Sequence, residues 1–148
     1  MGNTLQIVLT GGTGFIGRPL CASLCQGGHR ITLLTRRKEE TQRLCGPSVT
    51  AVEWNGREAG AWERCLESAD AVVNLAGAPI ADGHWTDARK RVLAESRVLT
   101  TRLLAGAMSR RTSKPCTLIS ASGIGYYGAS DDCVLDEGAT RGRLRASG

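Results

Sequence analysis

Short apolar runs alternate with longer amphipathic stretches along most of this chain. The apolar runs cover residues 5–10, 30–35, 49–54, 71–77 and 116–122, are rich in branched side chains, and are bounded by glycine, proline or polar residues. This pattern predicts five β-strands. All but the third run are almost continuously apolar, which is typical of strands that are buried on both faces.

The stretches between the apolar runs have helical periodicity, which predicts helices at about residues 18–28, 38–45, 58–68 and 87–110. Thr86 is placed to cap the last of them. The apolar stripe of that helix consists of Ala88, Val92, Leu99, Leu103 and Ala107. Because strands and helices alternate, right-handed crossovers are expected, and the predicted fold is α/β, a Rossmann-type doubly wound parallel sheet that stops after its fifth strand.

A glycine-rich segment, TGGTGFIG at residues 10–17, joins the first predicted strand to the first predicted helix. Glycine is needed where the backbone takes positive φ or approaches another group too closely for a Cβ, and a helix N-terminus offers free N–H groups to a phosphate. The spacing predicts a dinucleotide-binding loop, in which Gly11 makes the turn, Gly14 meets the pyrophosphate and Gly17 lets helix and strand pack closely. The alternative is a tight turn without a ligand.

The end of the second predicted strand bears on the choice of dinucleotide. NAD sites usually carry an acidic residue there for the ribose 2′-hydroxyl, whereas NADP sites carry an arginine near the 2′-phosphate. The sequence places Thr35, Arg36, Arg37 and Lys38 at this point. Because a guanidinium pairs well with a phosphate, NADP(H) is predicted in preference to NAD(H). Alternatively, Arg37 and Lys38 only open a solvated helix.

The composition bears on whether the chain binds nucleic acid. The chain has 148 residues, of which 41% are hydrophobic and 22% charged, as expected for one globular domain. The net charge of +5 raises nucleic-acid binding as a hypothesis, but aromatic residues make up only 4% and none are interleaved with a basic patch. Nucleic-acid binding is therefore not expected.

The six cysteines form no C-x-x-C motif, and they stand at positions 21, 25, 45, 65, 116 and 133. This spacing predicts reduced, mostly buried thiols and no metal site. The sequence shows neither a leader-like start nor an apolar run of membrane-spanning length, so a cytoplasmic location without a membrane partner is expected.

Three motifs together resemble the extended, sugar-nucleotide-epimerase-like branch of the short-chain dehydrogenase/reductase superfamily. They are TGGTGFIG at the first turn, NLAG at residues 74–77 and SASGIGYYG at residues 120–128. The run NLAGAPIADGHWTDARK followed by ESR is similar to the YfcH-like epimerase family, in which a tryptophan precedes a K-x-x-x-x-x-S-R helix; Trp85, Lys90, Ser96 and Arg97 match it. The resemblance spans residues 5–140 or so, and only the first half of a family member.

The resemblance implies further cofactor-binding residues. Thr35 and Arg36 match positions near the adenosine 2′-phosphate of NADP, and the strand end at residues 75–77 matches backbone that lies along the dinucleotide. Arg97 matches a helix arginine that contributes to cofactor binding, the alternative being a solvated charge. The predicted cofactor site comprises Gly11, Gly12, Thr13, Gly14, Phe15, Ile16, Gly17, Thr35, Arg36, Leu75, Ala76, Gly77, Arg97 and Ser120.

In this superfamily a serine, a tyrosine and a lysine act on the substrate hydroxyl or carbonyl. Ser122 is the best match to the serine and the predicted catalytic residue, with Ser120 as the next candidate. Four positions after Tyr126 and Tyr127 stand Ser130 and Asp131, so the Y-x-x-x-K pair is missing. The resemblance implies an NADP(H)-binding oxidoreductase or epimerase domain whose small-molecule substrate, such as a nucleotide sugar, is not identified. The alternative is a non-catalytic dinucleotide-binding module.

The end of the chain departs from the family pattern. After DEGAT, the residues RGRLRASG carry three arginines within five positions and no apolar periodicity. We therefore expect a nucleotide-binding domain at residues 1–140 and an atypical basic tail at residues 141–148, in a truncated family member. A sheet edge left without a sixth strand would offer a surface for a homodimer.

Overall fold

The computed structural model describes residues 3–113, 116–128 and 134–142. Within these residues, five parallel strands form one sheet in the order β3-β2-β1-β4-β5. The strands are β1 Gln6–Thr10, β2 Arg30–Thr35, β3 Val49–Glu53, β4 Ala71–Asn74 and β5 Thr117–Ser120. The chain therefore builds outward from β1 in one direction and then returns to the other side of β1. This is the predicted doubly wound sheet, with its switch point between β1 and β4.

The helices of the described residues differ from the predicted set at one place. They are α1 Gly17–Gln26, α2 Lys38–Cys45 and α3 Asp87–Ser109, together with 3₁₀-helices at Ala61–Leu66 and Ile124–Tyr127. The α-helix predicted at residues 58–68 is thus wrong, since only a 3₁₀-helix forms there. Gly56 and Gly60 precede it, and glycine disfavours helical backbone, so the segment is held by burial of Trp62 and Leu66 instead.

Two apolar clusters pack on opposite faces of the sheet, as the predicted architecture requires. Val8 of β1 joins α3 and the first 3₁₀-helix on one face, whereas Ile7 and Leu9 join α1 on the other. The first cluster contains Val8, Leu34, Trp54, Trp62, Leu66, Ala69, Val72, Leu104 and Ala107. The second contains Ile7, Leu9, Cys21, Ile31, Leu33, Val49 and Val73. The central strands are therefore buried on both faces.

The stripe that helix α3 turns toward the sheet coincides with the predicted one only at its end, where Ala107 is buried and Leu103 packs against the first cluster. Leu93, Thr100, Leu104 and Ala107 are its buried residues, while Ala88, Val92 and Leu99 of the predicted stripe are exposed. Burial of Thr100 is possible because its hydroxyl donates to the Ser96 carbonyl at 2.8 Å. The predicted cap is confirmed, since the Thr86 hydroxyl accepts from the Arg89 N–H at 3.2 Å.

Strand β5 is less covered than its apolar sequence suggested. Thr117 and Ser120 are exposed, and the Ile119 side chain is 54% exposed. The strand lies at one end of the sheet, and within the described residues no further strand pairs with its outer edge. The prediction that the fifth strand is buried on both faces is therefore wrong, since three of its four residues are exposed.

The described cysteines are free thiols and are less buried than predicted. Only Cys21 is buried, and Cys25, Cys45, Cys65 and Cys116 are partly buried; Cys133 lies outside the described residues. Burial raises the pKa of the Cys21 thiol to about 11, with smaller contributions from Cys45 and Cys25. In the described ranges, no group of three His, Cys, Asp or Glu side chains is placed to hold a metal ion. No helix there has both the length and the apolar composition needed to cross a bilayer.

Candidate dinucleotide-binding site

The turn between β1 and α1 needs glycine for steric reasons. Gly11 has a φ of 71°, and a Cβ at this position would lie 2.7 Å from the carbonyl carbon of Leu75. A Cβ on Gly17 would lie 2.3 Å from the Gly11 oxygen. The Gly14 N–H donates to the Gly11 carbonyl at 3.0 Å, and a Cβ on Gly14 would meet only that oxygen, at 3.2 Å. The turn is therefore closed on its inner side and open beside Gly14.

Gly12 serves the core. A Cβ there would lie 2.2 Å from Leu33 Cδ1 and 2.7 Å from Leu9 Cδ2, so the residue leaves room for the second apolar cluster. The outer surface of the turn comes from the exposed residues that follow, since Thr13 is exposed, Phe15 is 96% exposed and Ile16 is 62% exposed. The sequence spacing indicated the ligand side of the turn but gave no sign of this inward constraint.

Helix α1 begins without a capping side chain. Its N-cap residue is Ile16, no side chain accepts from the first turn, and the first turn contains no acidic residue. The first N–H groups of a helix and the positive end of its dipole attract an anion when nothing else satisfies them. Arg18 in this first turn donates from Nε to the Thr13 carbonyl at 2.8 Å, which fixes its guanidinium beside the glycine turn.

A cleft of about 200 Å³ separates the glycine turn from the end of β2 and the start of α2. Its lining consists of Thr13, Arg18, Thr35, Arg36, Arg37, Glu40, Thr41 and Leu44. Three guanidinium groups and one carboxylate therefore face a small, mainly polar space. Guanidinium groups match the geometry of a phosphate, so this cleft has the chemistry of a phosphate subsite.

The arginines at the end of β2 differ in how they are engaged. Arg37 Nη1 pairs with Glu40 Oε2 at 3.2 Å, and the Arg37 N–H donates to Thr35 Oγ1, also at 3.2 Å. Thr35 Oγ1 is also hydrogen-bonded to Thr41 Oγ1 at 3.0 Å, so the Thr35 hydroxyl holds the turn between β2 and α2. Arg36 is exposed and makes no hydrogen bond or ion pair with the described part of the chain.

The segment after β4 starts in contact with the glycine turn. The Leu75 N–H donates to the Thr10 carbonyl at 3.2 Å, and the Ala76 N–H donates to the Thr10 hydroxyl, also at 3.2 Å. Gly77 follows directly beneath the Arg97 guanidinium, since a Cβ on Gly77 would lie 3.0 Å from Arg97 Cζ. Leu75, Ala76 and Gly77 thus lie together with Gly11 at the carboxyl edge of the sheet.

Arg97 connects helix α3 to this segment. Its Nη1 donates to the Leu93 carbonyl at 3.0 Å, and its Nη2 donates to the Ala78 carbonyl at 3.2 Å. Ser96 adds a second link, because its hydroxyl accepts from the Ala78 N–H at 2.9 Å. Arg97 is therefore engaged with two backbone carbonyls although it is exposed, and its contribution to cofactor binding stays a prediction.

The rest of the segment, residues 79–86, carries two large exposed apolar side chains. Ile80 is 53% exposed and Trp85 is 59% exposed, and the Trp85 indole N–H donates to the Ile80 carbonyl at 3.3 Å. Arg89 of α3 donates to the Pro79 carbonyl. These contacts hold an apolar surface at the start of α3.

Asn74 is a site-forming residue that sequence reasoning missed. It is only 3% exposed, and its Oδ1 accepts from the Thr10 hydroxyl at 2.7 Å. Its Nδ2 donates to Thr101 Oγ1 at 3.0 Å and to Ser120 Oγ at 3.4 Å. The amide therefore joins the ends of β1, β4 and β5 to α3. The available signal was a polar residue at the end of an apolar run.

The candidate catalytic groups lie beyond β5. Ser122 is exposed and makes no hydrogen bond with the described residues, so its hydroxyl is not joined to either tyrosine. Tyr126 and Tyr127 pack edge to face with ring centroids 5.3 Å apart, and the Gly142 N–H donates to the Tyr126 carbonyl at 3.1 Å. The positions four residues after the tyrosines lie outside the described residues.

Sequence comparison relates this chain to a large enzyme family. Residues 7–147 match the NAD dependent epimerase/dehydratase family. The epimerase family protein YfhF of Bacillus subtilis is 38% identical over 133 residues, which are 90% of this chain and 42% of that protein. The chloroplastic homolog of epimerase family protein SDR39U1 from Arabidopsis thaliana is 34% identical over 144 residues, or 94% and 40% of the two chains. The chain thus spans about 40% of the length of these relatives.

Solved structures agree with the sequence match. Human epimerase family protein SDR39U1, solved with NADPH, superposes with a TM-score of 0.70 at 29% identity and covers 93% of this chain and 43% of that one. The nucleoside-diphosphate sugar epimerase of Corynebacterium glutamicum gives a TM-score of 0.72 at 33% identity, covering 96% and 28%. The resemblance found in the sequence motifs is confirmed. The chain belongs to the NAD dependent epimerase/dehydratase family and corresponds to the Rossmann-type part of its longer members.

Proposed function

We propose that this chain is the NADP(H)-binding domain of an epimerase-like oxidoreductase that acts on a carbonyl or a secondary alcohol, with a nucleotide sugar as one candidate substrate. One observation carries the proposal: an uncapped helix start behind a glycine turn lies next to a cleft lined by three arginines. The NADPH-bound human relative supports the choice of a nicotinamide dinucleotide.

The glycine turn fits the pyrophosphate of such a cofactor. No side chain of the described residues caps the start of α1, and a Cβ on Gly14 would meet only the Gly11 carbonyl oxygen. The positive end of the helix dipole would stabilise a phosphate placed there, although the Arg18 N–H already donates to the Gly14 carbonyl at 3.1 Å and Pro19 has no N–H to offer. The backbone of residues 75–77, in contact with the same turn, would flank the dinucleotide.

The neighbouring cleft fits an adenosine 2′-phosphate. Arg36 is free to pair with the phosphate, and Arg18 reaches the same space from the other wall. The Thr35 hydroxyl is already bonded to Thr41 and to the Arg37 N–H, so we assign Thr35 the role of shaping the turn that presents Arg36. A charge-assisted contact of this kind contributes about 1–3 kcal/mol.

The substrate side of the site would lie at the ends of β4 and β5. A bound nicotinamide supplies the hydride acceptor or donor. Ser122 is proposed to hold the substrate oxygen, because its exposed hydroxyl is not engaged by the described residues. Ser120 is bonded to Asn74 and would instead keep the edge of the sheet in place beside the cofactor.

Calorimetric titration with NADPH and NADH tests the nucleotide assignment. Wild-type chain should bind NADPH, and Arg36→Ala should weaken that binding by about 1–3 kcal/mol, the range of a lost charge-assisted contact. Arg43→Ala is the matched control, because it removes an exposed arginine of α2 that does not line the cleft. Equal losses in the two variants, or no binding of either nucleotide, would contradict the proposal.

A non-catalytic dinucleotide-binding module is the second candidate function. It is favoured by the sequence, in which Ser130 and Asp131 occupy the positions where the superfamily's lysine would follow a tyrosine. The two candidates separate in a turnover assay that follows NADPH oxidation with a panel of carbonyl compounds, including keto-sugar nucleotides. NADPH binding without turnover on any compound would favour the binding module.

A further inference from the structure

One carboxylate lines the cleft together with three guanidinium groups. The carboxylate is Glu40, and the guanidinium groups are those of Arg18, Arg36 and Arg37. An anionic side chain opposes an incoming phosphate. A carboxylate in the first turn of a helix is favourable in general, but Glu39 of α2 already meets that preference and does not line the cleft. Helix stability alone therefore does not explain why the Glu40 carboxylate lines the cleft.

The three arginines of the cleft are not equivalent. Arg37 Nη1 lies 3.2 Å from Glu40 Oε2. Arg36 has no partner in the described part of the chain, and Arg18 is held only through Nε, so that neither of its Nη groups is hydrogen-bonded within that part. Two guanidinium groups are thus free to meet a phosphate, while the third shares its charge with Glu40.

The pair between Arg37 and Glu40 is mostly solvated. The two side chains are 78% and 48% exposed, so the pair itself stabilises the fold very little. Its effect on a ligand is different, because a 2′-phosphate bound by Arg36 would lie in the same small cleft as the Glu40 carboxylate. A ribose with a free 2′-hydroxyl carries no charge there, and it donates a hydrogen bond that a carboxylate accepts.

We propose that Glu40 is a specificity-determining residue of this cleft. It holds Arg37 away from the 2′-phosphate and repels that phosphate, and it thereby restrains the preference for the phosphorylated dinucleotide over the unphosphorylated one. This inference rests on the proposed function and adds the residue that tunes the nucleotide preference.

Glu40→Gln and Glu39→Gln in the full chain form a matched pair. Each removes one negative charge from the first turn of α2, but only Glu40 lines the cleft. The variants are titrated calorimetrically with NADPH, NADH and adenosine 2′,5′-bisphosphate, the last of which reads the cleft without the nicotinamide half. Relative to Glu39→Gln, Glu40→Gln should bind the two 2′-phosphorylated ligands about 3- to 10-fold more tightly, and this gain should shrink at high salt. NADH should bind no more tightly.

A double-mutant cycle tests the contact between the two side chains. Arg37→Ala should weaken NADPH binding more in the Glu40→Gln background than in wild type, because only there is Arg37 free to contact the phosphate. Thermal unfolding should change little, and equally for Glu40→Gln and Glu39→Gln, since the substituted side chains are exposed and each variant loses one carboxylate from the first turn of α2.

The outcomes distinguish a failure of this inference from a failure of the proposed function. NADPH binding to wild type with equal responses to Glu40→Gln and Glu39→Gln would overturn the role of Glu40 and leave the proposed function standing. Equal tightening of NADPH and NADH by Glu40→Gln would overturn it as well. Failure of all three ligands to bind wild type would overturn the proposed function and this inference with it.

Discussion

Two groups of arginines lie at the carboxyl edge of the sheet, and they are used in opposite ways. On α3, Arg97 donates to the Ala78 carbonyl and Arg89 donates to the Pro79 carbonyl. Across the glycine turn, Arg36 has no partner among the described residues, and Arg18 is held through Nε alone. The difference follows from the backbone each group faces: the segment after β4 presents carbonyls that lack a sheet partner, whereas the cleft presents none that engage Arg36.

The N-termini of α1 and α3 also differ in whether the chain itself satisfies them. Helix α3 has the Thr86 cap and Asp87 in its first turn, whereas α1 has neither a capping side chain nor an acidic residue. Capping and negative charge satisfy a helix N-terminus internally, and their absence leaves it open to an external anion. The start of α3 is therefore capped within the chain, whereas the start of α1 is suited to a phosphate ligand.

Among these variants, Gly17→Ala should lower the free energy of unfolding most. Both groups of arginines lie beside the turn that Gly17 closes. Its Cβ would lie 2.3 Å from the Gly11 carbonyl oxygen, so the turn or α1 must shift. We expect the free energy of unfolding to fall by about 1–3 kcal/mol in urea denaturation, as for other overpacked buried sites. Gly123→Ala is the control, since its Cβ would meet nothing within 4 Å. Equal stability of the two variants would show that the turn does not need its glycine.

Arg97→Ala should give an intermediate effect on stability. It removes two hydrogen bonds to carbonyls and frees the segment above Gly77, so the free energy of unfolding should fall by about 1–2 kcal/mol. Arg102→Ala, on the same helix, removes an exposed arginine that makes no hydrogen bond with the described residues. The same urea-denaturation midpoint for both variants would contradict the structural role of the Arg97 hydrogen bonds.

Arg36→Ala should give the smallest effect on the free protein. The side chain is exposed and has no partner among the described residues, so the free energy of unfolding should change by less than about 0.5 kcal/mol, although NADPH binding is expected to weaken. Thermal and urea unfolding without ligand measure the first quantity. A destabilisation as large as that of Arg97→Ala would mean that Arg36 is a structural residue, and the contrast between the two groups would be lost.

Sequence reasoning succeeded where local pattern determines structure. The strand runs, the cap at Thr86 and the doubly wound parallel sheet were predicted correctly, because each follows from neighbours in the chain or from strand-helix alternation. The stripe of α3 was misread because apolar side chains stand in adjacent positions, as with Val92 and Leu93, and periodicity permits either phase. Packing on the sheet decided between them.

The parts of the site that sequence reasoning missed depend on contacts between residues that are far apart in the chain or that belong to different elements. Asn74 meets Thr10, Thr101 and Ser120, which are 64, 27 and 46 positions away; its polar side chain at the end of an apolar run marks the residue, but no local pattern indicates these partners. The pair between Arg37 and Glu40 is local, but its relevance comes from the cleft they share with α1. The sequence also could not show that Arg97 would be engaged with the Ala78 carbonyl.

The backbone contact between Gly11 and Leu75 has a consequence for the thermodynamics of binding. The two connections that flank the proposed dinucleotide touch each other, and hydrogen bonds from Leu75 and Ala76 to Thr10 fix them further. The glycine turn is therefore preorganised, and a ligand does not have to bear the entropy of ordering it. Differences in affinity between nucleotides should then reflect the groups they contact and not the folding of the loop around them.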